Sequence, residues 1–381
     1  MTTPNDAQSY HPQRDRIFAD LSTLVSFNSP HSTPELADQH EAACAWTVNA
    51  LKERGLDVTR HATVDDADTI IATKAPANGA PTVLLYAHYD VVPANNPGAW
   101  TNNPFELTER EGRWYGRGAA DCKGNLAMHL EALRLIEEHG GTDLGLRVVV
   151  EGSEELGGED GLGKLIEEKP ELFAADAILI ADSGNVAAGV PTVTTSLRGG
   201  AQINVTVETL RGPVHSGSFG GGAPDAAHAL VAIANSLFDE HGRTTIDGVD
   251  TTAKWDGDPY DREAFRADAT VLEGVQLLGT VDDEPADLVW ARPSVTMIGF
   301  TSTPVAEAMN AVNPRAEAQF NLRVPAGQNA AEIADKMVEH IKAHTPWGAK
   351  VSVKVSGVNE PFATDPEAPA VATLGQCLKE A

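Results

Sequence analysis

Six residues in the first half of the chain are of types that bind metal ions or move protons, and they fall at comparable places. His88 and Asp90 close the run Leu84-Leu85-Tyr86-Ala87-His88-Tyr89-Asp90. Glu154 and Glu155, led by Glu151, follow the apolar run Leu146 to Val150. Asp182 directly follows Ala177 to Ala181, and Asp121 ends the glycine-rich turn Gly116-Arg117-Gly118-Ala119-Ala120-Asp121. A neutral imidazole is a good zinc ligand, and a carboxylate can hold its other ring nitrogen in place. Taken singly, a strand-end His-x-Asp is more often a structural hydrogen-bonded pair, and each acid reads equally well as a helix cap or a solvated loop residue. Four separate segments delivering a histidine or an acid to one sheet rim are harder to dismiss. Clustered carboxylates repel, and burying them together costs several kcal/mol unless a cation compensates. The pattern therefore indicates a centre of one or two metal ions bound through nitrogen and oxygen.

The elements that must position these residues follow from hydrophobic spacing. The runs ending at Ala87, Val150 and Ala181 read as buried strands, and in an open parallel sheet ligands gather at the carboxyl ends of the strands. Segments 58–62 and 69–73 read as further strands of that sheet, and 13–27, 34–54 and 123–139 as helices. Asp121, just ahead of the third helix, would feel its positive end. Segment 95–113, with Pro97, Trp100, Pro104 and Phe105, reads as an ordered loop or hairpin over the site. After Asp182 the texture changes. Ala201, Ile203, Val205 and Val207 alternate with polar residues, as in a strand with one wet face. A helix near 224–238, strands near 294–300 and 316–325, a helix near 329–344 and a strand near 350–356 complete a β-α-β-β-α-β order. The expectation is an α/β protein with a mostly parallel-sheet catalytic domain and an inserted ferredoxin-like domain. Its parts are residues 1–194, the inserted 195–356, and 357–381 returning to the catalytic domain. Residues 241–290 form an acidic, irregular excursion, either functional or disordered.

Composition narrows the function. The chain has 381 residues, 42% of them hydrophobic, and a net charge of −27, which argues against nucleic acid or anionic membrane as a partner. No apolar stretch approaches a membrane span, and the start carries no secretory pattern. Cys44, Cys122 and Cys377 are few, odd in number and far apart, which favours a reducing cytoplasm over a disulfide framework. Cys122 reads as a small buried thiol rather than a ligand.

The motifs resemble those of the dizinc amidohydrolases and peptidases that include acetylornithine deacetylase, succinyl-diaminopimelate desuccinylase, aminoacylase, carboxypeptidase G and the carnosine-type dipeptidases. The matching residues are His88-Tyr89-Asp90-Val91-Val92-Pro93, Gly116-Arg117-Gly118 through Asp121-Cys122-Lys123-Gly124, Glu151-Gly152-Ser153-Glu154-Glu155-Leu156-Gly157, Asp182, His215-Ser216-Gly217, Asn310 and Arg323. The resemblance implies two zinc ions, with cobalt or manganese as substitutes. His88 and Asp182 would hold one ion, Asp121 would bridge, and Glu155 would hold the other. Asp90 would orient His88, and Glu154 would be the general base. It further implies a cis peptide at Asp121–Cys122 and a homodimer formed through the second domain. His215, from the partner chain, would stabilise the oxyanion, while Asn310 and Arg323 would hold the substrate carboxylate.

The turn His215-Ser216-Gly217-Ser218-Phe219-Gly220-Gly221, the pair Arg292-Pro293 and the long excursion are closest to the dipeptidase branch. Asn310-Ala311-Val312-Asn313 departs from that family's Asn-x-Ile-Pro. The expected activity is hydrolysis of an amide bond in a dipeptide or small peptide. An N-acyl-amino-acid deacylase and a non-catalytic homologue are the alternatives. The resemblance also implies a last histidine ligand near the chain end. Only His340 and His344 lie late, and their i, i+4 spacing can mimic a metal pair. Lys336, Glu339 and Lys342 mark that helix instead as a solvated one of the second domain. The expectation is therefore a chain that stops short of the ligand.

Overall fold

The computed structural model describes residues 12–31, 33–187 and 189–380 and divides into two compact units, Met1–Thr192 and Val193–Ala381. Among the described residues of the first unit, helices α1 (Arg14–Ser26), α2 (Ala37–Lys52), α3 (Lys123–Glu138) and the short α4 (Lys164–Glu168) accompany seven strands. Five of these, β1 (Asp57–His61), β2 (Thr69–Lys74), β3 (Thr82–His88), β6 (Gly145–Glu151) and β7 (Ala177–Ile180), form one sheet in the order β1-β2-β6-β3-β7. A separate hairpin, β4 (Thr108–Arg110) with β5 (Arg113–Tyr115), occupies the end of the expected 95–113 loop.

The sheet is mixed, not mostly parallel. β3 runs parallel to both β6 and β7, but β1–β2 and β2–β6 are antiparallel. The reason is connection length. Only a short loop joins β1 to β2, too short for the crossover that a parallel pair requires, and so β2 returns as a hairpin strand. The three strands that end at the candidate residues are the parallel ones. Their register sets His88 opposite Glu151, which brings the ends of β3 and β6 level. Leu126, Leu130 and Leu133 of α3, Leu24 and Val25 of α1 and Leu51 of α2 pack with Val148 and Val150 in one core. Burial of such side chains is worth roughly 1.5–3 kcal/mol each.

The second unit carries β9 (Gly199–Glu208), β11 (Ser294–Thr301), β13 (Arg315–Val324) and β14 (Lys350–Asn359) in an antiparallel sheet of order β11-β13-β9-β14. Helices α6 (Ala226–Ser236) and α8 (Ala330–Ala343) cover it. The alternation along β9 turns Ile203, Val205 and Val207 inward against Leu230, Ile233, Phe320 and Met337. Chain order is thus β-α-β-β-α-β, with smaller elements around it: β8 (Ser196–Leu197) paired with β15 (Phe362–Ala363), β10 (Val214–His215) paired with β12 (Ala311–Val312), and helices α5 (Ser216–Phe219), α7 (Arg262–Asp268) and α9 (Pro369–Glu380). β14 continues to Asn359, beyond the 356/357 boundary expected from the sequence, through a register shift after Ser356.

The 241–290 excursion is ordered around charge and aromatic contacts. Asp283 meets Arg292 at 2.7 Å and Asp287 meets Lys254 at 2.7 Å, with both aspartates buried. Tyr260 stacks on Trp290, which also touches Trp255.

Candidate metal centre

Within the first unit, His88, Asp90, Asp121, Glu154, Glu155 and Asp182 come together. His88 ends β3 and is fully buried. Its Nδ1 lies 3.2 Å from Asp90 Oδ1, and its Nε2 lies 3.1 Å from Asp121 Oδ1, 3.5 Å from Asp182 Oδ2 and 3.8 Å from Glu154 Oε2. Asp90 is itself buried, and its two oxygens accept the Glu154 N–H at 3.2 Å and the Glu155 N–H at 3.1 Å. One carboxylate therefore fixes both the ring of His88 and the backbone that carries the paired glutamates. Glu155 Oε1 in turn accepts the Val92 N–H at 3.3 Å.

Asp121 is placed by the glycine-rich turn. Gly118 has a positive φ of 78°, and a side chain at Gly124 would run into the Ala119 carbonyl. The Asp121–Cys122 peptide is cis, as the resemblance implied. Cys122 is buried, and its Sγ accepts the His88 N–H at 3.0 Å. Burial raises its pKa, and its sulfur lies within ligand distance of His88 and Asp182.

The electrostatics call for a cation. Burial raises the pKa of Glu154, Glu155 and Asp182, and neighbouring acids add to this, Asp182 for Glu154 and Asp121 for the other two. Burial opposes a charged His88 ring, yet the bond to Asp90 and the Cys122 contact push its pKa up to about 12. A cation in place of the Nε2 proton would leave Nδ1 donating to Asp90 and turn the Nε2 lone pair toward the ion and the carboxylate oxygens around it. Acceptors that face one another across 3.1 and 3.5 Å fit around a cation that replaces the missing protons. Two ligand sets are within reach, His88 with Asp121 and Glu155, and His88 with Cys122 and Asp182. The donors are imidazole and carboxylate, as zinc and its neighbours prefer.

Sequence reasoning did not assign roles to three supporting residues. Glu151 is buried, accepts the Tyr86 hydroxyl at 2.7 Å, and has its pKa pushed up to about 7 by burial. Lys123, fully buried, donates to Leu24 O at 2.9 Å and Phe27 O at 2.7 Å, and burial lowers its pKa to about 7. His40 bonds Gly152 O at 2.7 Å, just ahead of the paired glutamates. The only signal for these was charge inside an apolar pattern, as at Lys123 and Glu151.

Within the second unit, His215 ends β10 beside β12, exposed, and its Nδ1 accepts the Gly217 N–H at 3.1 Å. The Ser216 N–H bonds Asn310 O at 2.8 Å, so His215 and Asn310 are neighbours. Arg323 is exposed on β13, opposite Gly200 and Ser294, and lies close enough to Arg198 to lower that residue's pKa, after the larger effect of burial. Asn313, in the place of the resembled family's proline, donates its backbone N–H to Asp225 Oδ2 at 2.8 Å, a bond that proline could not make. The expectation of a solvated face for both late histidines is corrected: His340 is buried against Ser236, and only His344 is exposed.

The family model of peptidase family M20/M25/M40 matches residues 84–381. The chain is 70% identical over 370 residues to the cysteinylglycine-S-conjugate dipeptidase of Corynebacterium striatum, a match covering 97% of this chain and 81% of that one. It is 30% identical to the Cys-Gly metallodipeptidase dug1 of Schizosaccharomyces pombe over 68% of this chain and 57% of that relative. Among solved structures, an M20 family metallo-carboxypeptidase from Sulfolobus solfataricus shares the mixed α/β fold, with a TM-score of 0.81, 20% identity, and coverage of 96% of this chain and 83% of that one. The chain belongs to peptidase family M20/M25/M40 and is a metallopeptidase.

Proposed function

We propose that the chain is a dizinc dipeptidase and that its substrates include cysteinylglycine S-conjugates, the class named for the relative from Corynebacterium striatum. The observation that carries the metal assignment is the His88 ring, tied behind by Asp90 and turned toward Asp121 and Asp182. In this reading His88, Asp182, Asp121 and Glu155 would hold the ions, Asp121 being shared between them. When bound, the zinc ions lower the pKa of a water and polarise the scissile carbonyl. Glu154 takes the proton of the attacking water on its carboxylate and passes it to the departing amine nitrogen. Its raised pKa suits both halves of that transfer. Asp90 holds Glu154 in place through the backbone N–H while it does so.

His215 stabilises the oxyanion from the partner chain of a homodimer, and Asn310 and Arg323 hold the substrate carboxylate. The second unit is then an inserted lid and dimerisation domain, residues 195–356, with 357–381 assigned to the catalytic domain. The enzyme works in the cytoplasm. No helix among the described residues is long and apolar enough to cross a membrane.

A substrate panel tests the reading. The zinc-loaded chain is given cysteinylglycine S-conjugates, other dipeptides, and N-acetyl and N-succinyl amino acids. Release of free amino acids from the dipeptides is expected. Release of acetate or succinate with intact dipeptides would make the chain a deacylase, and no turnover of any would make it a non-catalytic homologue.

A further inference from the structure

The second unit holds an open cleft of about 690 Å³ next to His215. It is lined by Ser216, Ala311, the glycines of the 220–222 turn, His228 and Trp347. Ser216 directly follows His215 in the chain, and Ala311 directly follows Asn310. Small-molecule sites have volumes of about 300–1,000 Å³, and this cleft falls among them.

The lining is held in place from several sides. Trp347 is 58% exposed, yet its φ is 57°, in the left-handed region that a residue with a bulky side chain adopts only under strain. Its ring meets the His228 ring edge to face, with centroids 5.1 Å apart. Asp225 ties the surrounding segments together: Oδ1 accepts the His228 N–H at 2.9 Å, and Oδ2 accepts the Asn313 N–H at 2.8 Å. In the glycine turn, a side chain at Gly220 would run into Ser216 O, and Gly221 has a positive φ of 81°. The turn therefore stays bare and the cleft stays open. A large aromatic ring kept in water beside an open cleft, on a strained backbone, is a contact surface for a ligand.

Substrate chemistry says which ligand group belongs there. In a cysteinylglycine S-conjugate the oxyanion forms on the cysteinyl carbonyl carbon. The adjoining Cα carries CH2–S–R, so the side chain branches off one atom from the oxyanion centre. A residue that holds the oxyanion must therefore stand beside the space that R occupies. We propose that the cleft lined by Trp347, His228 and the 220–222 turn takes the S-substituent, an apolar alkyl or aryl group. This rests on the conjugates as substrates and on His215 at the oxyanion. Cleft and His215 lie in one unit of one chain, so they serve the same substrate together. Trp347 offers an aromatic face to the thioether sulfur and to R, and the bare glycine turn leaves room for bulk.

The zinc-loaded full chain is given S-benzylcysteinylglycine and S-methylcysteinylglycine, and the ratio of the two kcat/KM values is the readout. Trp347→Ala should lower the benzyl-to-methyl ratio about tenfold or more, chiefly through KM. Gly222→Leu should lower it too by filling the cleft, since an added Cβ meets only Phe219 O, at an ordinary 3.7 Å. Circular dichroism and zinc content on the same samples confirm that the variants are folded and loaded. An unchanged ratio in folded variants, or equal losses on both substrates, would overturn the proposal. Titration calorimetry with the same two compounds reads the cleft apart from turnover. Absence of dipeptide cleavage would sink the activity, and the cleft would then be judged on affinity. The parent should bind the benzyl compound about tenfold or more tightly than the methyl one, and Trp347→Ala should erase the difference. Equal affinities in the parent would overturn the proposal.

Discussion

Each unit carries a buried histidine facing carboxylate oxygen, and the two are backed differently. Behind His88 stands Asp90, a buried anion that also accepts two backbone N–H groups. Behind His340 stands Ser236, a neutral hydroxyl already committed to Ile233 O. An anion behind an imidazole raises its basicity and locks its orientation, whereas a hydroxyl sets the tautomer and little more. The surroundings differ in the same sense. His88 meets three acids, Glu154 and Asp182 following parallel strands and Asp121 in the glycine-rich turn, while His340 meets one exposed aspartate at a helix end. The first arrangement suits metal binding and chemistry; the second is closed by hydrogen bonds, the Asp247 N–H filling the His340 Nδ1 lone pair and His344 Nε2 donating to Asp247 Oδ2.

Breaking the chemistry of the first centre should produce the largest effect. Glu154→Gln is expected to cut kcat about a hundred-fold or more while metal content stays at the parent level. Near-normal turnover would show that another group moves the proton. Next in size is the support behind the ring. Asp90→Asn should lower metal affinity about 10–100-fold, measured by competition with a chromophoric chelator. Ser236→Ala should leave metal content unchanged, and a loss of metal there would erase the contrast drawn between the two histidines.

A third effect appears only without metal. Glu151 has a folded pKa of about 7 against an ordinary 4.5. A pKa raised on folding gives stability that is fully present below 4.5 and lost as pH rises through about 7. The metal-free chain should therefore resist urea better at pH ~5 than at pH ~8, with Glu151 accounting for at most about 3 kcal/mol of the change. Glu151→Gln should flatten that slope, and an unchanged slope would assign it to other groups. The smallest effect on turnover belongs to His344→Ala, for which no change is expected.

The parts of this picture that could be read from sequence share a property. His88, Asp182 and the paired glutamates each follow an apolar run, so strand ends and reactive residues were marked by the same local change. The alternation at Ile203, Val205 and Val207 likewise fixed which face of β9 is inside. The antiparallel half of the first sheet was less visible, since strand direction is set by how the 62–68 connection turns and not by residue pattern. Asp247 and His340 are 93 positions apart, and no spacing rule joins them. Lys336, Glu339 and Lys342 on α8 masked the inward-facing His340, because a helix can be charged on one side and bury a histidine on the other. Asn313 looked like a defect in a motif, whereas its N–H serves the Asp225 carboxylate.

Lys123 carries a practical consequence for anyone cutting this protein into pieces. The family match begins at residue 84, yet the ammonium two positions after Asp121 is held by the carbonyls of Leu24 and Phe27. Ser29 reaches the same neighbourhood, donating to Tyr89 O at 2.8 Å, between His88 and Asp90. A fragment trimmed to the matched boundary would leave a buried ammonium with no acceptors, strip β6 of its neighbour β2, and open the sheet edge on that side. The residue at which the family model begins to match is therefore not a boundary at which the polypeptide can be cut. The family model and the folded unit thus begin at different places along this chain, and the first 83 residues are needed by the second.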